Sequence, residues 1–372
     1  MSNPWYHAEG EEEVPSPALL VFPERIEGNL RHMIEIAGSI ERLRPHLKTH
    51  KMVEVTRMQI AAGITKFKCA TIAEAEMGAK CGAEEILLAY PCVGPRAKQL
   101  RQLAEHFPEV RFSTLVDCPE HLDILSNAFA DSQMPCDVFV DLDCGMGRTG
   151  ITAGDGALEL YRLLADAHNL TPAGLHAYDG HLHDADIETR RHNREDAMAP
   201  VHGLRKDLEG ANLPVPCLIA GGSPTFAFHA MDEAVDECSP GTTLLWDYGY
   251  SDAFPDLPFQ HAAILLARIS SKPGSNRICL DLGHKAVASE KPMPVRFLEE
   301  PEAVVISHSE EHLVLETPRA GSYEVGDLFH GIPRHVCPTV ALYNEAQAAS
   351  GGHISGTWKI AARKRASHVP KA

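Results

Sequence analysis

Residues 44–51 read Arg44-Pro45-His46-Leu47-Lys48-Thr49-His50-Lys51, with a basic side chain at every second position from Arg44 to His50. Side chains alternate across a strand, so a strand here turns Arg44, His46, Lys48 and His50 to one face. In a barrel that face is the interior or the mouth. A lysine crowded by cations has a lowered pKa, which leaves free amine to condense with an aldehyde cofactor. The same letters also fit a basic strand end on the surface.

Four further stretches carry chemistry. Ala220-Gly221-Gly222-Ser223-Pro224-Thr225 follows an apolar run. Its paired glycines let backbone N–H groups approach an anion and its hydroxyls add donors, the make-up of a phosphate cradle as well as of a plain loop. Asp141-Leu142-Asp143-Cys144-Gly145-Met146-Gly147-Arg148-Thr149-Gly150 is a glycine-rich turn that can bring Arg148 beneath a bound ring or leave it exposed. His176-Ala177-Tyr178-Asp179-Gly180-His181-Leu182-His183-Asp184 concentrates imidazole and carboxylate after a strand, which points to acid/base work, although a chain with 21 histidines also clusters them by chance. His335 and Cys337 stand two apart, on one side of an extended chain. They form an N/S pair suited to zinc that leaves coordination positions open to water or substrate.

The elements that must position these residues are legible as a pattern. Short apolar or β-branched runs at 18–22, 43–48, 66–71, 86–90, 111–116, 137–141, 173–178 and 217–220 alternate with helical windows such as 23–38, 52–63, 72–81 and 188–210. About eight such βα units close into a barrel. An open dinucleotide-binding sheet would need a GxGxxG after its first strand, and none is there. After about residue 242 the pattern turns to strands with few helices, at 262–270, 277–282, 303–307, 312–316 and 340–343. The expected architecture is α/β, a (β/α)8 TIM-like barrel over 15–245 followed by a β-domain over 246–372 that residues 1–14 can join. Residues 246–258 form the crossing, and the basic end, 359–371, is a solvated tail.

Composition narrows the class. A chain of 372 residues with 44% hydrophobic content buries a large core. A net charge of −17 argues against a nucleic-acid partner and supplies no membrane-binding patch. The acidic N-terminus lacks the build of a signal peptide, no apolar run reaches membrane-spanning length, and the ten cysteines include no CxxC pair. These features point to a cytoplasmic protein with reduced thiols.

Taken in order, RPHLKTHK, GMGRTG, HAYDGH, AGGSPT, DLGHKA and HVCPT resemble the D-threonine aldolase and D-serine dehydratase family of pyridoxal phosphate enzymes. The resemblance runs over nearly the whole chain. It implies the alanine racemase fold, an N-terminal barrel with a C-terminal β-domain, in a head-to-tail homodimer. It implies that Lys48 carries pyridoxal 5'-phosphate, that Gly221, Gly222, Ser223 and Thr225 hold the phosphate, and that Arg148 and Tyr178 flank the ring. His335 and Cys337 would bind a divalent ion, zinc or manganese, with His181 or His183 as the base for a substrate hydroxyl. The expected activity is retro-aldol cleavage of D-threonine and related β-hydroxy-D-amino acids to glycine and an aldehyde. The alternative is a D-serine or 3-hydroxyaspartate dehydratase giving keto acid and ammonia. A pyridoxal phosphate-binding protein without turnover is a third reading, though its known forms resemble only the first domain.

Overall fold

Seven short strands, Lys66–Cys69, Glu85–Leu88, Arg111–Val116, Cys136–Asp143, Leu170–Ala177, Leu218–Ala220 and Glu237–Cys238, pair in that order, each parallel to the next, in the computed structural model, which describes residues 4–365. Their central residues are buried, as strands covered on both faces require. Residues 43–47 close the ring. Leu43 bridges Cys238 and His46 bridges Lys68, with Arg44 N donating to Cys238 O at 2.9 Å and Leu47 N to Lys68 O at 2.8 Å. Pro45 has no N–H to add, which keeps this eighth member short of a regular ladder. The result is the (β/α)8 barrel, and Leu87, Leu115, Phe139 and Ile219 are buried together within it.

One expected barrel strand lies elsewhere. Ala18–Val21 runs antiparallel to Ala263–Gly274 and parallel to Glu345–Ser350 in the other sheet. A fully apolar run followed by a helix looks the same whichever sheet receives it. Its expected place is taken by Glu237–Cys238, a pair too short to show a period.

The chain forms two compact units. One is built from Met33–Lys48 and Thr56–Gly241, the other from Thr49–Val55, Thr242–Arg363 and the N-terminal residues up to His32. The second unit carries a nine-stranded, mostly antiparallel sheet. Within it, residues 340–343 are not the expected strand. Val336–Val340 is a short helix, and Tyr343 Oη donates to Ala286 O at 2.8 Å. A four-residue apolar run has no period to separate strand from helix. The crossing at 246–258 holds the helix Tyr248–Ala253, capped by Asp247, whose side chain accepts from Tyr250 N. Of the basic end, Lys359 closes the strand His353–Lys359, and the tail from residue 366 lies outside the described residues.

Local signals were strong where caps are present. The helix Ile72–Cys81 starts at Thr71, whose side chain accepts from Glu74 N, and stops at Gly82 with φ 98°. None of the ten cysteines is disulfide-bonded. Among the described residues no helix is long and apolar enough to cross a membrane.

Candidate active site

The C-terminal ends of the barrel strands surround a cavity of about 620 Å³ lined by His46, Lys48, Lys68, Asp141, Arg148, His176 and Tyr178, among others. That volume suits a small ligand, and the C-terminal ends of the strands are where barrels of this kind carry their chemistry. The Tyr178 ring is its centre. Arg148 lies 5.2 Å from the ring centroid, Lys68 Nζ 5.5 Å and Lys48 Nζ 5.6 Å. Three basic side chains around one aromatic ring make the cavity attractive to an anion.

The basic strand end separates into three fates. His46 and Lys48 line the cavity, and His46 Nδ1 accepts from Lys48 N at 3.2 Å. Arg44 belongs to the opposite end of the barrel. There its Nε donates to Glu237 at 2.5 Å and its Nη2 to Glu85 at 2.6 Å, while Lys66 Nζ meets Glu237 at 2.5 Å. His50 is buried in the other unit, its Nδ1 accepting from Met52 N at 3.1 Å. The alternation expected from Arg44 to His50 does not run that far: residues 47–50 form a turn, and four residues of rise already separate Arg44 from Lys48.

Arg148 is presented by a turn that its own carboxylates tie down. Asp143 Oδ1 accepts from Gly145 N at 2.9 Å and Gly147 N at 3.0 Å. Asp141 Oδ2 accepts from Thr149 Oγ1 at 2.9 Å, and Asp117 Oδ2 from Gly150 N at 2.9 Å. The other oxygen of Asp141 holds His176 Nδ1 at 2.6 Å, leaving His176 Nε2 buried with no protein partner. Burial and the Lys68 ammonium keep His176 below its ordinary pKa, so the free nitrogen is an acceptor for a ligand donor. Lys68, which sequence reasoning missed, is 4% exposed. Burial, then the charge of Lys48, push its amine down to about 7. The signal was present in Lys66-Phe67-Lys68-Cys69: a second lysine at alternate spacing inside a buried strand needs a polar interior to face.

Gly221 to Thr225 form the turn after the strand Leu218–Ala220. Gly221 has φ +81°, and a Cβ there would fall 2.3 Å from His229 Cδ2; one on Gly222 would press the Tyr178 ring at 3.0 Å. Only glycine lets this backbone lie against both rings. Ser223 Oγ accepts from Gly241 N at 3.1 Å, Thr225 Oγ1 donates to Asp179 Oδ1 at 2.9 Å, and Ser239 Oγ is buried without a partner. Behind the turn, Asp179 Oδ2 meets His229 Nε2 at 2.7 Å, and Arg194 Nη2 lies 3.0 Å from His229 Nδ1. These residues could hold a phosphate. Together with a lysine, an arginine over an aromatic ring and an orphaned imidazole nitrogen, they fit pyridoxal phosphate.

His181 and His183 do not line the cavity. His181 packs on the arginine turn, where a Cβ on Gly145 would lie 2.7 Å from its Nε2, and its Nδ1 is buried without a partner; His183 is exposed. In the second unit, His335 and Cys337 flank the start of a helix rather than an extended chain, and their side chains still meet. Cys337 beside it, more than Glu290 at 3.1 Å from its Nδ1, pushes His335 up to about 9. Cys337 Sγ lies 3.2 Å from Thr49 Oγ1, and Val336 N donates to the buried Asp247 carboxylate at 2.9 Å. The pair has the chemistry of an N/S metal site.

Comparison with known proteins follows the same division. Residues 22–251 match the family described as "Alanine racemase, N-terminal domain", and residues 262–348 match "Putative serine dehydratase domain". The chain is 29% identical over 356 residues to a D-threonine aldolase of Arthrobacter sp, covering 94% of this chain and 93% of that protein. It is 27% identical over 364 residues to a 3-hydroxy-D-aspartate aldolase of Paracoccus denitrificans strain Pd 1222, covering 95% and 93%. Among solved structures, D-threonine aldolase from Filomicrobium marinum superimposes with a TM-score of 0.90 at 28% identity, over 98% of this chain and 99% of that one. The chain therefore belongs to the alanine racemase-like family, whose members bind pyridoxal phosphate, and within it to the group of D-threonine aldolases and D-serine dehydratases.

Proposed function

We propose that this protein is a pyridoxal phosphate- and divalent metal-dependent aldolase that cleaves D-threonine and related β-hydroxy-D-amino acids to glycine and an aldehyde. The observation that carries the reading is the meeting of Lys48, Arg148 and Tyr178 in one cationic cavity, in a chain that resembles a D-threonine aldolase from end to end. In this reading Lys48 holds the cofactor, Gly221, Gly222, Ser223 and Thr225 hold its phosphate, Arg148 and Tyr178 flank its ring, and His335 with Cys337 holds the ion. Pyridoxal phosphate, when bound, supplies an electron sink for the carbanion left when the Cα–Cβ bond breaks. The divalent ion, zinc or manganese, supplies a Lewis acid that acidifies the substrate hydroxyl.

The chain's own residues do the rest. Lys48, Lys68 and Arg148 draw the anionic groups of cofactor and substrate into the cavity. The carboxylates of Asp117, Asp141 and Asp143 hold the Arg148 turn, so the guanidinium is positioned before anything binds. Of the two histidines, neither of which lines the cavity, His181 is the better candidate to take the hydroxyl proton, because it packs on the Arg148 turn while His183 stands in solvent. The same reading puts the protein in the cytosol as a homodimer.

A dehydratase giving keto acid and ammonia is the second reading, favoured by the thiol at Cys337 and by the match over residues 262–348. A product assay on metal-supplemented protein with D-threonine, D-serine and their L forms separates the two. Acetaldehyde and glycine from D-threonine alone, lost on chelation, support the aldolase; keto acid and ammonia overturn it.

A further inference from the structure

His330 sits in the strand Leu328–Pro333, opposite Leu266, with no exposed surface. Glu299 grips it twice: Oε2 accepts from the backbone N at 2.9 Å, and Oε1 lies 2.6 Å from ring Nδ1. This double contact fixes the ring and turns Nε2 to Glu11, whose Oε2 is 3.1 Å away. The other oxygen of Glu11 lies 2.9 Å from Nδ1 of His7. The His7 and His330 rings stand 4.7 Å apart at 76°, with Tyr6 packed on both. One ligand atom from each of His7, Glu11 and His330 lies within 4.8 Å of the others. Arg268 holds this N-terminal segment in place by donating to the carbonyls of Val14 at 2.7 Å and Glu12 at 2.6 Å.

We propose that His7, Glu11 and His330 form a second divalent metal site, of the zinc class, that staples the N-terminal segment to the antiparallel sheet. Two imidazole nitrogens and a carboxylate oxygen are zinc donors, and one tetrahedral position remains for water. Glu299 behind His330 completes a carboxylate–histidine–metal arrangement, in which the outer carboxylate sets both the tautomer and the aim of the ligating nitrogen. Charge supports a dication. Two carboxylates, Glu11 and Glu299, close on the two imidazoles, and a divalent ion balances both. The His7 side chain is 35% exposed, which gives the ion a way in. The donors carry no sulfur and share no residue with the His335–Cys337 pair.

The test uses the full-length chain with both residues of that pair replaced, His335→Ala with Cys337→Ser, stripped by chelator and reloaded with zinc or cobalt. The expected result is one tightly held equivalent per chain, a higher melting temperature with zinc than without, and a cobalt spectrum with no thiolate charge-transfer band. Adding His7→Ala, a change at a partly exposed side chain that leaves the sheet intact, should reduce affinity at least tenfold; Glu11→Gln should abolish binding. Two outcomes overturn the proposal: no retained equivalent in the doubly substituted chain, or an equivalent that shows a thiolate band or survives Glu11→Gln.

Discussion

Replacing Lys68 by methionine tests the electrostatics of the cavity most directly. The Lys68 amine is held down to about 7 by burial and by Lys48, against an unfolded value near 10.4. Above about pH 10.5 it is neutral in both states and costs nothing. Between there and 7 the unfolded chain binds a proton that the folded chain refuses, so the folded state loses stability as pH falls; below 7 both bind it and the cost is constant. At about 1.4 kcal/mol per tenfold the full difference is roughly 4–5 kcal/mol, a ceiling that water entering the cavity reduces, and on the order of 2–4 kcal/mol is the working expectation. Methionine keeps the unbranched shape and removes the charge. In urea unfolding of cofactor-free protein, Lys68→Met should therefore be more stable than the parent at pH 7, with the advantage shrinking steadily towards pH 10. Taking the difference at each pH cancels the titrations that the two proteins share. A difference that is flat from pH 7 to 10, or a variant less stable at pH 7, would refute the placement of a buried, largely neutral amine there.

Three other substitutions probe separate parts of the barrel. Lys48→Ala should leave the fold unchanged by circular dichroism and abolish the visible absorbance of protein incubated with pyridoxal phosphate and dialysed. Gly221→Ala forces a Cβ into a left-handed position against His229, which Asp179 and Arg194 hold in place; about 2–4 kcal/mol of lost stability and at least tenfold weaker cofactor binding should appear in thermal melts and fluorescence titration. Glu237→Gln leaves Arg44 and Lys66 without their shared carboxylate at the far end of the barrel. Denaturant unfolding should show about 3–5 kcal/mol of destabilisation, with cofactor binding in the surviving native fraction unchanged.

The fold was legible wherever a segment carries its own boundary signals. Thr71 and Gly82 bracket a helix that runs over the expected residues 72–81, and Arg111–Val116 is a strand over the residues expected for it. What local pattern could not decide was membership. Ala18–Val21 is apolar in either sheet, and its assignment depends on partners more than 240 residues away, such as Leu265 and Leu266. Glu237–Cys238 closes the barrel with two residues, fewer than any period needs.

The same limit governs the site. Arg148, the Gly221–Thr225 turn and the Lys48 segment could be read because each is a single run of chain whose residue types announce a task. Lys68 could not, and neither could the pairing of His176 with Asp141, since each residue comes from a different strand and only closure of the barrel brings their interior faces together. The His7, Glu11 and His330 cluster is the extreme case, drawn from positions 319 residues apart. None of its members lies in a motif, and each alone is an ordinary polar residue. A constellation supplied by one segment leaves its mark in spacing, whereas one assembled by sheet pairing is recorded only in register. In this chain the residues proposed to bind by local shape were therefore visible from the sequence. Those that act by setting charge, Lys68 above all, became visible only once the strands were paired.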